Sequence, residues 1–210
     1  MIRVLIADDH AILRRGLKEI LVRELDGVTC GEAEDAQQTL TAVQNDTWDL
    51  VILDISMPGR SGLDLLGDLQ RMQPKLPVLV LSMHAEDQYG KRMLKAGASG
   101  YMNKESAPEE LIKAIHKVLA GGRYVSPALA EKLALGLQQD AGQAVHETLS
   151  SREFEILRMI ASGRTVTQIA TELHLSPTTV STYRTRILGK MSMATTAELI
   201  RYALQSHLVD

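Results

Sequence analysis

One cysteine in 210 residues rules out an internal disulfide. Cys30 has no ligand cluster near it in sequence and reads as a small buried filler. Long apolar runs are missing as well. Segments such as VLVL at 78–81 fall far short of the roughly 18 residues that a spanning helix needs. The amino terminus, MIRVLIADDH, puts acids where a signal peptide needs an apolar core. These absences argue against membrane spans and secretion and point to the cytoplasm. Disorder is equally disfavoured, because 45% hydrophobic and 23% charged residues is the balance of an ordinary folded protein. No large excess of either charge is present, the net being −3. Acids are nevertheless absent from one stretch, 173–197, which holds Arg184, Arg186 and Lys190. A local positive surface is therefore compatible with an acidic total.

What is present divides the chain. On a prior of roughly 100–200 residues per domain, 210 residues suggest two domains. In the first 120 residues RVLIA (3–7), VTCGEA (28–33), DLVILD (49–54), PVLVLS (77–82) and GYMN (100–103) read as strands separated by amphipathic stretches. Such alternation predicts a five-stranded parallel sheet covered on both faces, in an α/β domain over 1–120. Ile12, Leu13, Leu17, Ile20 and Leu21 recur at helical spacing after His10, and Ser106 to Glu109 forms a capping box before Leu111, Ile112, Ile115 and Leu119. Gly121-Gly122 stops that helix. Residues 121–148 read as a linker with a partial helix around Leu129, Leu133 and Leu137.

From 149 to 210 only helices are expected. Ser150 with Glu153 and Thr165 with Gln168 make capping boxes, and Ser176-Pro177 opens a third helix. A fourth runs from about Thr195 to Ser206. Two helices joined by a tight turn at His174-Leu175-Ser176, the second basic and poor in acids, form the pattern of a small all-α helix-turn-helix domain.

The strands suggest where chemistry collects. Val51, Ile52 and Leu53 form an apolar run that ends on Asp54, and ligands of open α/β sheets gather at strand carboxyl ends. Asp8 and Asp9 follow the first strand and should lie beside Asp54. Three clustered carboxylates repel one another unless a divalent cation neutralises them, and hard oxygen donors suit Mg²⁺. Ser82 and Lys104 follow the fourth and fifth strands. A carboxylate nucleophile, a metal, a hydroxyl and an ammonium around one point make a phosphoryl-transfer set.

These residues carry a resemblance. IADDH, VILDISMPGRSG, VLVLS and AGASGYMNK are similar to the four sequence blocks of a response-regulator receiver domain, which has a flavodoxin-like fold. The resemblance implies that Asp54 accepts a phosphoryl group from a sensor histidine kinase. It implies that Asp9, Asp54 and the backbone carbonyl of Ser56 bind Mg²⁺, with Asp8 holding a metal-bound water. Ser82 would contact the phosphoryl group, Lys104 would pair with carboxylate or phosphate, and Tyr101 would be the aromatic that turns inward on activation. Ser56 and His84 stand where similar proteins control water access. Glu105 follows Lys104 where many receivers have proline, so no cis peptide is assumed there.

The carboxy-terminal third, LSSREFEILRMIASG followed by QIATELHLSPTTVSTYRTRILGKM and AELIRYAL, resembles the LuxR-type helix-turn-helix of the NarL/FixJ subfamily. Val180, Tyr183, Ile187 and Met191 recur at core spacing in its third helix. By that resemblance Ser181, Thr182 and Thr185 face the major groove of promoter DNA, Thr178 and Thr179 also bind DNA, and Arg184, Arg186 and Lys190 hold phosphates. Val166, Ser181, Tyr183 and Thr196 depart from the usual asparagine, basic residue, histidine and arginine, so the salt dependence of binding should be shallower. A homodimer would compensate. Leu199, Ile200, Ala203 and Leu204 form either a dimer surface or part of the domain's own core.

The expected function is a two-component response regulator: a transcription factor, not an enzyme, whose DNA binding follows phosphorylation of Asp54. The small domain would be masked until phosphorylation moves Ser82, Tyr101 and the surface around 86–120. Two alternatives stand beside it. One is a DNA-binding regulator whose receiver is a phosphorylation-independent dimerisation module. The other is a phosphohydrolase of the haloacid-dehalogenase kind, which keeps a second aspartate where this chain has Ser56.

Overall fold

The computed structural model describes the chain except for residues 58–61, 84–85, 107, 139–143, 207 and 210. For 87, 88, 132, 135–138 and 151 it describes the backbone alone. The chain falls into two compact units, Met1–Gln138 and Gln139–Asp210.

The first unit is built on five parallel strands, β1 (Ile2–Ala7), β2 (Val28–Ala33), β3 (Leu50–Asp54), β4 (Val78–Ser82) and β5 (Gly100–Asn103), in the order β2-β1-β3-β4-β5. Every residue of β3 and β4 is buried, which explains their unbroken apolar sequence: helices cover both faces, so neither face needs polar residues. The register aligns the strand ends, with Ala7 opposite Leu53, Asp54 opposite Leu81 and Ser82 opposite Asn103. Residues that follow these strands therefore share one edge.

Helices α1 (Ala11–Glu24), α2 (Ala36–Asn45), α3 (Gly62–Met72), α4 (Glu86–Lys95), α5 (Pro108–Leu119) and α6 (Pro127–Gln138) complete this unit. Leu17 and Leu21 of α1 join Leu111 and Ile115 of α5 over Val4, Ile6, Ile52 and Leu79 of the sheet. Each such side chain contributes roughly 1.5–3 kcal/mol when fully buried. Ile12, part of the apolar spacing read from the sequence, faces solvent at 90% exposure, whereas Arg14 on the same helix is buried. The capping box read at Ser106 to Glu109 includes residue 107, outside the described residues. Where the sequence suggests only a partial helix in a linker over 121–148, α6 is a whole helix. Leu129 packs it down at 2% exposure, and it contacts α4. A 3₁₀ turn, Val145–Thr148, lies in the second unit.

The second unit contains α7 (Ser151–Ala161), α8 (Val166–Glu172), α9 (Pro177–Lys190) and α10 (Thr196–Gln205). The capping boxes at Ser150 and Thr165 form, Ser176 caps α9 ahead of Pro177, and Thr195 with Glu198 caps α10. These side chains satisfy backbone N–H groups that have no partner within the helix. The turn between α8 and α9 puts His174 at φ 52°, a left-handed conformation that a non-glycine residue adopts only at a cost. Phe154, Leu157, Ile169, Val180, Ile187, Met191, Leu199 and Ala203 form the core. Leu199 and Ala203 thus close the domain itself, and Leu204 stays 47% exposed. Among the described residues no helix is long and apolar enough to cross a membrane.

Candidate functional site: an acidic pocket and a reader helix

The aligned strand ends bring Asp8, Asp54 and Lys104 into direct contact. Lys104 Nζ lies 2.6 Å from Asp8 Oδ2 and 2.7 Å from Asp54 Oδ2, and all three side chains are at most 5% exposed. The other Asp54 oxygen, Oδ1, accepts the Ser56 N–H at 2.9 Å. His10 donates its backbone N–H to Asp8 Oδ1 at 2.8 Å, and its Nδ1 stands 2.9 Å from Asp9 Oδ1. Asp8, Asp9, His10 and Asp54 each offer one ligand atom, and those atoms lie within 4.8 Å of one another. Asp9 and His10 are exposed while Asp8 and Asp54 are buried, so the cluster opens to solvent on one side.

Burial pushes the Asp54 carboxyl above its ordinary value; the Lys104 ammonium and the Ser56 N–H partly offset this, and the Asp8 charge adds to it. For Lys104, burial pulls in the opposite direction. The hydrogen bonds and charges of Asp54 and Asp8 together outweigh it and hold the ammonium above its usual range. The pocket therefore keeps a desolvated carboxylate against a fixed positive charge.

Ser82 ends β4, fully buried, and its carbonyl accepts the Lys104 N–H at 2.8 Å. Tyr101 lies on β5 at 0% exposure, so its ring is already inside the domain. His84 lies outside the described residues. Every described peptide bond is trans. The structure adds one residue that the sequence reading missed. Arg14 donates through Nη1 to the Asp8 carbonyl at 2.7 Å and through Nη2 to Glu34 at 2.7 Å, and Glu32 lies 3.5 Å from its Nε. It pins the loop that carries Asp8 and Asp9. One of three arginines on an amphipathic helix, Arg14 gives no warning of this in sequence.

In the second unit α8 and α9 pack together as a helix-turn-helix. Val180, Ile187 and Met191 face the core, Tyr183 is half-buried, and Thr178, Thr182, Thr185, Arg186 and Lys190 are exposed. Arg184 and Ser181 are intermediate. Thr179 belongs to the cap, with its N–H donating to Ser176 Oγ at 3.0 Å and its hydroxyl 2.8 Å from the same oxygen. Arg186 lies over the Tyr183 ring, 5.9 Å from its centroid. Lys190 differs from the other basic residues: its Nζ donates to Glu153 Oε2 of α7 at 2.7 Å, and that side chain is only 4% exposed. Glu153 also accepts the Ser150 N–H at 2.7 Å. One carboxylate thus closes a cap and braces two helices.

A lysine-bridged acidic pocket at the edge of a five-stranded parallel sheet, carried in one chain with a helix-turn-helix, defines a receiver coupled to a DNA reader. Residues 4–116 match the response regulator receiver domain family, and residues 147–203 match the bacterial regulatory proteins of the luxR family. The response regulator GacA of Pseudomonas aeruginosa is 39% identical, with 100% of this chain and 99% of that protein covered. UvrY of Escherichia coli K12, also a response regulator, is 33% identical over 100% and 97%. The structure is similar to RcsB of Salmonella enterica serovar Typhimurium, solved bound to promoter rprA with the phosphomimetic BeF₃⁻. Its TM-score is 0.65 at 30% identity, covering 96% of this chain and 97% of RcsB. The chain belongs to the response regulators of the NarL/FixJ type, with a receiver and a LuxR-type DNA-binding domain.

Proposed function

We propose that Asp54 accepts a phosphoryl group from a sensor histidine kinase and that this controls binding of α9 to promoter DNA. The observation that carries the reading is Lys104 Nζ bridging Asp8 and Asp54 at 2.6 and 2.7 Å. An Asp54 oxygen attacks phosphorus as the N–P bond of a phosphohistidine breaks. Lys104 then moves from pairing with the carboxylate to pairing with the phosphoryl oxygens, joined by the Ser82 hydroxyl, while Tyr101 keeps the buried position that it already holds on β5. The group stays on Asp54 as a signal, so the chain is an acceptor and not a turnover enzyme.

The convergent oxygen donors with one solvent-open side fit Mg²⁺. Asp9, Asp54 and the Ser56 carbonyl would hold it, with Asp8 acting through a water. When bound, the ion neutralises charge on the transferring phosphoryl oxygens. Beside Lys104 an apolar groove is lined by Ile12, Leu13, Met83 and Leu111. Ile12 and Met83 are exposed at 90% and 60%, and an apolar surface beside the nucleophile suits the helices of a kinase's phosphohistidine domain.

At the reader, Thr178, Ser181, Thr182 and Thr185 face base edges while Arg184 and Arg186 hold phosphates. Thr179 serves the α9 cap, and Lys190 contributes to DNA binding indirectly, by holding α9 on α7. RcsB has been solved as two dimers on two parallel DNAs; a homodimer here would place two α9 helices on one duplex, and exposed Leu204 offers apolar surface for it. A regulator of this type works in the cytoplasm. Incubation of the full chain with Mg²⁺ and acetyl phosphate is expected to add one phosphoryl mass to the wild type and none to Asp54→Asn. Equal labelling of both would refute the site.

A further inference from the structure

We infer that the outer face of α9 reads thymine 5-methyl groups, a finer statement that rests on α9 being the DNA reader. At about 100° per residue, the face opposite Val180, Ile187 and Met191 carries Thr178, Thr182, Thr185 and Gly189. The three threonines are exposed, and a Cβ placed on Gly189 would meet nothing within 4 Å. Among the basic residues Arg186 stands on a flank, about 60° from the centre of this face, while Arg184 falls about 140° away, nearer the core side. That flank suits a phosphate wall of a groove, and the centre suits its floor.

Back-bonding to the preceding turn sets the hydrogen-bonding character of that centre. The Thr182 hydroxyl donates to the Thr178 carbonyl at 3.0 Å, and the Thr185 hydroxyl donates to the Ser181 carbonyl at 3.1 Å. A hydroxyl has one proton, and here it is committed to the preceding turn. The outward atoms of these two residues are then a methyl group and an acceptor oxygen. Guanine presents only acceptors in the major groove while its partner cytosine offers an N4 donor, so an acceptor oxygen alone does not separate G·C from A·T; the methyl does. Thymine presents a methyl, and its partner adenine presents an N6 donor. The face therefore fits A·T pairs with the thymine methyl against threonine Cγ2.

The test uses the phosphodonor-treated full chain and the duplex it selects from a randomised pool. Each thymine of that duplex is replaced in turn by deoxyuridine, which lacks only the methyl. At one or more positions the wild type should lose about three- to fivefold in affinity, the scale of one buried methyl group. Thr182→Ser or Thr185→Ser should be indifferent to the same replacement, and the matching Val variant should keep the wild-type sensitivity. These positions are exposed, and a thermal melt checks that each variant is folded. Deoxyuridine binding as well as thymine at every position would overturn the proposal, as would Ser variants with undiminished sensitivity. Unchanged affinity for thymine-containing DNA in Arg186→Ala and in every threonine variant would instead remove α9 from the interface, and the proposal with it.

Discussion

The acidic pocket and the outer face of α9 are assembled in opposite ways. The pocket draws Asp8, Asp54 and Lys104 from the ends of three strands at the sheet edge and buries their charges. The proposed reader face comes from one helix, is exposed, and keeps charge away from its centre. A buried charge must be paired to be tolerated, so each partner in the pocket is indispensable. An exposed face is already solvated, so its residues are individually replaceable, and specificity is spread over small contributions. A response regulator needs both: one position at which a single covalent event counts, and a surface whose affinity can be tuned.

Three substitutions probe that contrast, from the largest effect to the smallest. Lys104→Met removes the only cation within bonding distance of Asp54 among the described residues. The rate of labelling by acetyl phosphate should fall on the order of 100-fold, the scale of one lost charge-stabilising donor; a rate within threefold of wild type would show the ammonium to be structural only. Arg14→Met leaves the Asp8 carbonyl and Glu34 without the donor that Arg14 supplies, while Glu32 keeps Lys18 at 2.9 Å. Glu34 is 62% exposed, so the buried-pair cost is discounted to about 2 kcal/mol, to be measured by denaturant unfolding of the first unit within the full chain. An unchanged midpoint would make the Arg14 bonds dispensable.

The third substitution concerns the second unit. Burial alone would raise the Glu153 carboxyl, but the hydrogen bond from Lys190 and those from Ser150 outweigh it and hold the carboxyl below its ordinary value of 4.5. A depressed carboxyl stabilises the fold above the unfolded value and loses that stabilisation as pH falls through the folded one. Thermal melts of the wild type should therefore fall in temperature below about pH 4.5. Glu153→Gln should cost about 1 kcal/mol at neutral pH, since Lys190 is half in water, and should flatten that acid limb. Parallel acid limbs in both proteins would contradict the clamp.

The same contrast explains what could be read from the sequence. The strands were legible because β3 and β4 are buried on both faces and so are continuously apolar, and the ends of aligned parallel strands predict which acids meet. The caps of α7, α8 and α9 were legible because a cap is a local pattern. The α10 box, Thr195 with Glu198, carried the same signal and went unread. Arg14 and the pairing of Lys190 with Glu153 were hidden, since the latter partners are 37 residues apart and neither has a period or motif. Ile12 misled because it adjoins the apolar stripe in sequence although, at about 100° per residue, it lies about 125° round the helix from the mean direction of Leu13, Leu17, Ile20 and Leu21. The helix at α6 was under-read because its alanines and glycine weaken the amphipathic pattern, although Leu129 anchors it.

The central claim is that chemistry at Asp54 sets the affinity of α9 for DNA. Its most direct test is one titration of a selected duplex with the full chain, before and after acetyl phosphate, in wild type and Asp54→Asn. A coupling of about 1–3 kcal/mol corresponds to a 5- to 150-fold tightening, expected in the wild type and absent from Asp54→Asn. Equal affinities before and after treatment in a wild type shown to be labelled, or the same tightening in Asp54→Asn, would contradict it.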